Sequence, residues 1–157
     1  MSNPAFDDAL KTRARLRETF AVAQTLEHKG SEVGALLGFA LNSETLDILA
    51  VTETRDLRLL ATPADEISAP GHLNVGAMLA ISRRTLSAWR HKSGGLYTRI
   101  GIADSAAGSL VLYVSHHDGL WWLRPRAMFM DGRFTPCPDL SPIAIDLTGK
   151  AAHDSAT

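Results

Sequence analysis

Residues 96–123 read LYTRIGIADSAAGSLVLYVSHHDGLWWL, and this stretch decides the fold. Leu96–Ala103 and Ser109–His116 are rich in β-branched, aromatic and aliphatic residues, and Asp104-Ser105-Ala106-Ala107-Gly108 separates them as a turn. Asp118-Gly119 signals a tight hairpin, whose central positions take positive φ. Leu120–Leu123 then returns as a third strand. Three short strands joined by turns predict an antiparallel meander.

The same pattern occurs earlier in the chain, at one constant offset. Val33–Leu41 and Leu46–Thr54 read as strands around the polar turn Asn42-Ser43-Glu44, and Leu57–Leu60 as a third. His28-Lys29 falls on His91-Lys92, Gly38 on Gly101, Ala40 on Ala103 and Val51 on Val114. Leu37, Phe39, Leu49 and Leu57 fall on Ile100, Ile102, Leu112 and Leu120. Whole elements match without a gap, which predicts a duplication. The copies differ where binding chemistry would lie. Tyr97, Tyr113, Trp122, Arg124 and Pro125 of the second answer to Gly34, Ala50, Leu59, Ala61 and Thr62 of the first. Aromatic and guanidinium groups stack, donate hydrogen bonds and lose little entropy on binding, so the second copy is the candidate for ligand binding.

Helices flank these segments. Asn3-Pro4 predicts a helix start, with Asn3 as cap and Pro4 at the first helical position. Ala9, Leu16, Phe20 and Ala23 keep helical spacing to about Leu26, and Lys11, Arg13, Arg15 and Arg17 form a face expected to be solvated. A connecting helix is predicted over Asn74–Trp89. Residues 75–89 also have the look of a helix-turn-helix, with Ser82 capping a second helix opened by Arg83, Arg84 and Thr85 and extended by Arg90, His91 and Lys92. Ile143–Leu147 would add an edge strand.

Composition bounds the function. Hydrophobic residues make up 45% and the net charge is −1, so only a local basic patch could meet nucleic acid. One cysteine excludes an internal disulfide and points to a reducing compartment. No secretory signal and no apolar run of about 18 residues is present, which places the expected location in the cytoplasm, away from membrane. Phosphate-loop and nucleophile-elbow motifs are absent. His116 and His117 point to opposite faces of a strand and do not assemble a metal site. Cys137 sits between prolines with no base to activate it.

The stretch Trp89-Arg90-His91-Lys92-Ser93-Gly94-Gly95-Leu96-Tyr97, followed by Ile100–Ala103, Leu110–Tyr113, Trp122–Pro125 and Met128-Phe129, resembles bacterial and phage domain of unknown function sixteen fifty-three. The resemblance covers about residues 89–135. Two features depart from it: Ser93 stands at the family's lysine position, and Ser105-Ala106-Ala107 replaces its Ser-Glu-Thr. The first copy keeps other pieces in Gly38-Phe39-Ala40 and Ser43-Glu44-Thr45. The resemblance implies a small SH3-like barrel and no activity.

The sequence therefore predicts an α+β chain with two SH3-like barrel modules in tandem. Residues 1–68 hold the N-terminal helix and a degenerate module, 69–88 the connecting helix, 89–148 the intact module and 149–157 a tail. The expected function is non-catalytic binding of a small planar or anionic molecule, or of a peptide, by His91, Tyr97, Tyr113, Trp122 and Arg124. Strand alternation puts Trp122 and Arg124 on one face, away from Trp121 and Leu123. Packing of Trp122 into the core, with Arg124 paired to a local carboxylate such as Asp118, is the alternative at these residues. DNA binding through Arg83, Arg84, Thr85, Arg90 and Lys92 is the alternative function. No cofactor is called for, and homo-oligomerisation stays open.

Overall fold

The computed structural model describes residues 3–69, 86–140 and 142. It opens with α1 (Pro4–Thr19), where the Asn3 carboxamide accepts hydrogen bonds from the Ala5 and Phe6 amides, as its sequence demands. The helix stops short of the expected Leu26. The Ala23 N–H donates to the Leu36 carbonyl, and the Leu36 N–H to that of Gln24. These long-range bonds override local helix propensity and carry Leu26 into strand β1 (Thr25–His28), fully buried.

After β1 come β2 (Ser31–Asn42), β3 (Ile48–Glu53) and β4 (Leu59–Pro63), a 3₁₀ turn (Ala64–Glu66) and β5 (Ile67–Ser68). The second half has β6 (Ser87–His91), β7 (Leu96–Ser105), β8 (Gly108–Ser115) and β9 (Trp121–Pro125), then helical turn α2 (Arg126–Phe129) and β10 (Phe134–Pro136). Pairing runs β5-β1-β2-β3-β4 in the first half and β10-β6-β7-β8-β9 in the second. Each half thus repeats one strand order, with a helical turn before its last strand. The bulges correspond as well. β2 shifts register between Leu36 and Gly38, and β7 between Arg99 and Gly101, the positions that the sequence offset makes equivalent.

Two separately closed barrels were expected, and one shared barrel is found. β4 runs parallel to β7 through Leu59↔Ala103 and Leu60↔Asp104. β2 runs parallel to β9 through Leu41↔Trp122 and Asn42↔Leu123. These junctions close the ring β2-β3-β4-β7-β8-β9, so the molecule is α+β with a six-stranded barrel and an N-terminal helix. Leu37, Val51, Leu59 and Ala61 from one half and Ile100, Leu112, Trp121 and Leu123 from the other share one interior. Closure pairs the end strands of each meander with those of the other. Gly38 lies under the Trp121 ring, where a β-carbon would stand 3.0 Å from Cζ3.

Other expectations shift. Leu57 is not in a strand: it turns at φ 66° and is exposed, because the Thr54 hydroxyl and carbonyl take the Arg58 and Leu57 amides. Only Gly119 of the Asp118-Gly119 pair has positive φ. The Asp118 carboxylate instead accepts from the Leu120 N–H at 3.0 Å, which makes a longer loop than a two-residue hairpin. Of the connecting helix and helix-turn-helix, residues 70–85 lie outside the described residues, Arg83, Arg84 and Thr85 among them. Ser87, Ala88 and Trp89 form β6, because their pairing with Arg99, Thr98 and Tyr97 satisfies the backbone in an extended form. Arg90 follows on that strand and Lys92 in the turn after it. Residues 143–147 also lie outside the described residues. No described helix is long and apolar enough to cross a membrane.

Arg13 departs from the solvated face expected for it. It is buried, and its Nε donates to the Phe39 carbonyl at 2.9 Å. Burial, reinforced by Arg17, lowers its pKa to about 10. Removing this donor leaves a buried carbonyl short of a partner. Arg13→Ala is expected to destabilise the fold by about 1–3 kcal/mol, read as a lower urea midpoint at unchanged slope.

Candidate functional site

Alternation along β9 sends Trp121 and Leu123 into the barrel and leaves Trp122 and Arg124 half-buried outside, as the pleat requires. Tyr113 on β8 and Tyr97 on β7 share the outer side with them. β6, α2 and β10 fold over this face and bring Trp89, Phe129 and Phe134 down onto it. Phe129 and Phe134 stack at 4.3 Å between centroids, and Trp89 meets Phe129 edge-on at 5.0 Å. Tyr97 and Tyr113 contact each other edge-on at 5.4 Å, and both contact Phe134, at 5.6 and 5.4 Å.

Arg124 is held on this cluster by two contacts. Its Nε donates to the Tyr113 hydroxyl at 3.1 Å, and its Cζ lies 5.4 Å from the Phe134 centroid. The alternative pairing with Asp118 is not formed, and no carboxylate within the described residues bridges the guanidinium. The two terminal nitrogens are therefore oriented by a fixed stem, with their donors unspent among the described residues. His91 lies edge-on to the same Phe134 ring at 4.9 Å. Burial, then the charges of Arg124, Lys92 and Arg133, holds its pKa below the usual histidine value.

The five candidate residues do not share one role. Tyr113 is 3% exposed, so it props Arg124 rather than facing a ligand. Burial raises its phenol pKa, against the opposing effect of Arg124. Tyr97 is half-buried, its pKa raised by burial and then by Asp118. One face of Trp122 is covered by Phe6 of α1, stacked at 6.1 Å and nearly parallel. His91, Tyr97 and Arg124 are the members left to meet a ligand, with the rest of Trp122 beside them.

Sequence reasoning named Phe129 only within the family resemblance and missed Phe134 and Arg99. Arg99 lies 5.9 Å from the Trp89 centroid and 5.7 Å from that of Phe129, and burial followed by Arg126 lowers its pKa. Its place two residues beyond Tyr97 on one strand could have revealed it. Phe129 and Phe134 carried no periodic signal, because a four-residue helical turn and a three-residue strand deliver them.

The first half has no such cluster. Gly34, the counterpart of Tyr97, has φ 115°, and a β-carbon there would strike the Glu53 carbonyl. Ala61 and Thr62, the counterparts of Arg124 and Pro125, line an open cavity of about 290 Å³ at the β4–β7 junction. A larger groove of about 620 Å³ between α1 and β3 has Asp8, Asp47, Asp65 and Glu66 on its walls, which suits no anion.

Comparison with protein-family models, curated proteins and solved structures finds no match to the chain.

Proposed function

We propose that the chain is a non-catalytic binding module that takes a small planar or anionic ligand, or the anionic end of a peptide, on the outer face of its second half. The observation that carries the reading is Arg124. A guanidinium fixed by a phenol and an aromatic ring, with no carboxylate on it among the described residues, is a preorganised anion receptor. Charge supports it too. Residues 87–136 hold six Lys and Arg against three acids, whereas residues 25–69 hold three against eight.

We infer further that the two halves are duplicated SH3-like units fused through their parallel junctions. The repeated strand order, the bulges at equivalent positions and the resemblance of the second half support this reading. The first copy is its structural half.

Native mass spectrometry of the gently purified protein, beside Arg124→Ala, tests the function. The wild-type chain is expected to retain a small mass that the variant loses. The variant forfeits one neutral-acceptor hydrogen bond and one ring contact, so its stability should fall by only about 1–2 kcal/mol. A retained mass common to both proteins would move the site elsewhere.

A further inference from the structure

The two halves carry histidines at equivalent places, and their neighbours differ in one respect. His28 closes β1 and His91 closes β6, each followed by a lysine. In the first half Glu66 answers both. Its Oε1 lies 3.0 Å from His28 Nε2 and 3.9 Å from Lys29 Nζ. The offset that sets His28 on His91 sets Glu66 on Phe129, which is buried in the aromatic cluster. The second half thus has the histidine and lysine, with no carboxylate at the position equivalent to Glu66.

Arg124 from β9, Lys92 from the turn after β6 and Arg133 ahead of β10 all act on His91. Asp131, two residues before Arg133, is bridged by it through Nε at 3.0 Å and a terminal nitrogen at 2.9 Å, and Lys92 also acts on this carboxylate.

The His91 ring is also oriented. The Ser93 N–H donates to Nδ1 at 3.1 Å, so Nδ1 carries the lone pair and the proton of the neutral ring sits on Nε2. Ser93 Oγ lies 2.8 Å from the same nitrogen and can turn from donor to acceptor when the ring takes a second proton. Nε2 meets no acceptor among the described residues. Phe134 meets His91 in a T-shaped contact at 4.9 Å and carries Arg124 over its face at 5.4 Å, so both donors border one ring.

We propose that His91, Lys92 and Arg124 receive an oxyanion of the ligand, a phosphoryl or carboxylate group, in the place that Glu66 occupies beside His28 and Lys29. This rests on the binding reading above and names the chemistry that the ligand must present. His91 donates through Nε2 in its neutral form and adds a charge when protonated. Proton and oxyanion favour each other, so binding tightens as pH falls through the His91 pKa.

The test is an NMR titration of the imidazole signals of the full chain, with inorganic phosphate and separately with acetate. His28, already paired with Glu66, is the internal reference. Phosphate is expected to raise the His91 pKa by about one unit and to move His28 little. A response to phosphate alone assigns a phosphoryl group, and an equal response to acetate assigns any oxyanion. Arg124→Ala should abolish the response, and His91→Gln should keep phosphate binding while flattening its pH dependence. If His91 responds to neither anion while phenyl phosphate still binds in an Arg124-dependent way, this inference falls and the binding reading stands. If phenyl phosphate also fails, both fall.

Discussion

Trp121→Ala is expected to destabilise the protein by about 3–5 kcal/mol and to lower both halves together. Trp121 is 5% exposed and belongs to the interior that the two meanders share. Its ring lies across Gly38 of β2, so its loss opens a void at the seam between the halves. A void of this kind costs transfer energy plus lost packing, because the barrel wall is closed on both sides and cannot collapse. Far-UV circular dichroism, together with amide exchange resolved along the chain, reads the effect. One common loss of protection across β2–β4 and β7–β9 is expected. Protection kept in the first half while the second melts would mean that the halves are energetically separate.

Phe129→Ala should cost a similar amount, about 3–5 kcal/mol, but with a different distribution. Phe129 is fully buried, stacks on Phe134, meets Trp89 edge-on and lies beneath Arg99. Without it, Phe134 loses its support, and Phe134 holds both His91 and Arg124. The variant should therefore show a lowered urea midpoint and weaker binding of phenyl phosphate at temperatures where it stays folded. Phe129→Leu, which refills much of the volume, should recover most of the stability. Full stability and full binding in Phe129→Ala would remove the aromatic cluster from the account.

Much of the fold could be read from alternation. The three strands of the second segment and the outward side of Trp122 and Arg124 follow from a period of two, and the ungapped repeat carries the same strands into the first segment. Closure could not be read. The parallel junctions rest on two residue pairs each, Leu59↔Ala103 with Leu60↔Asp104 and Leu41↔Trp122 with Asn42↔Leu123. Such pairs follow from barrel geometry and leave no pattern along the chain. The true end of α1 was hidden for the same reason, since Leu26 fits a helical face as well as a strand until Leu36 captures its neighbours. At the site, residue type pointed to Arg124, Tyr97 and His91. It could not tell a buried prop such as Tyr113 from a contact residue, because both are tyrosines on one side of a sheet. The missing partner of His91 became visible only beside Glu66, which lies 38 residues from His28 along the chain.

The most direct test of the central claim is a proton–nitrogen NMR map of the full chain titrated with phenyl phosphate, the simplest probe that is both planar and anionic. The Tyr113 hydroxyl holds the Arg124 Nε–H, which slows its exchange and gives the site its own signal. The account predicts that this signal moves together with those of His91, Lys92 and Tyr97, while His28, Ala61 and Gly34 stay in place. Shifts centred on the first half, or none at Arg124 under saturating probe, would contradict it.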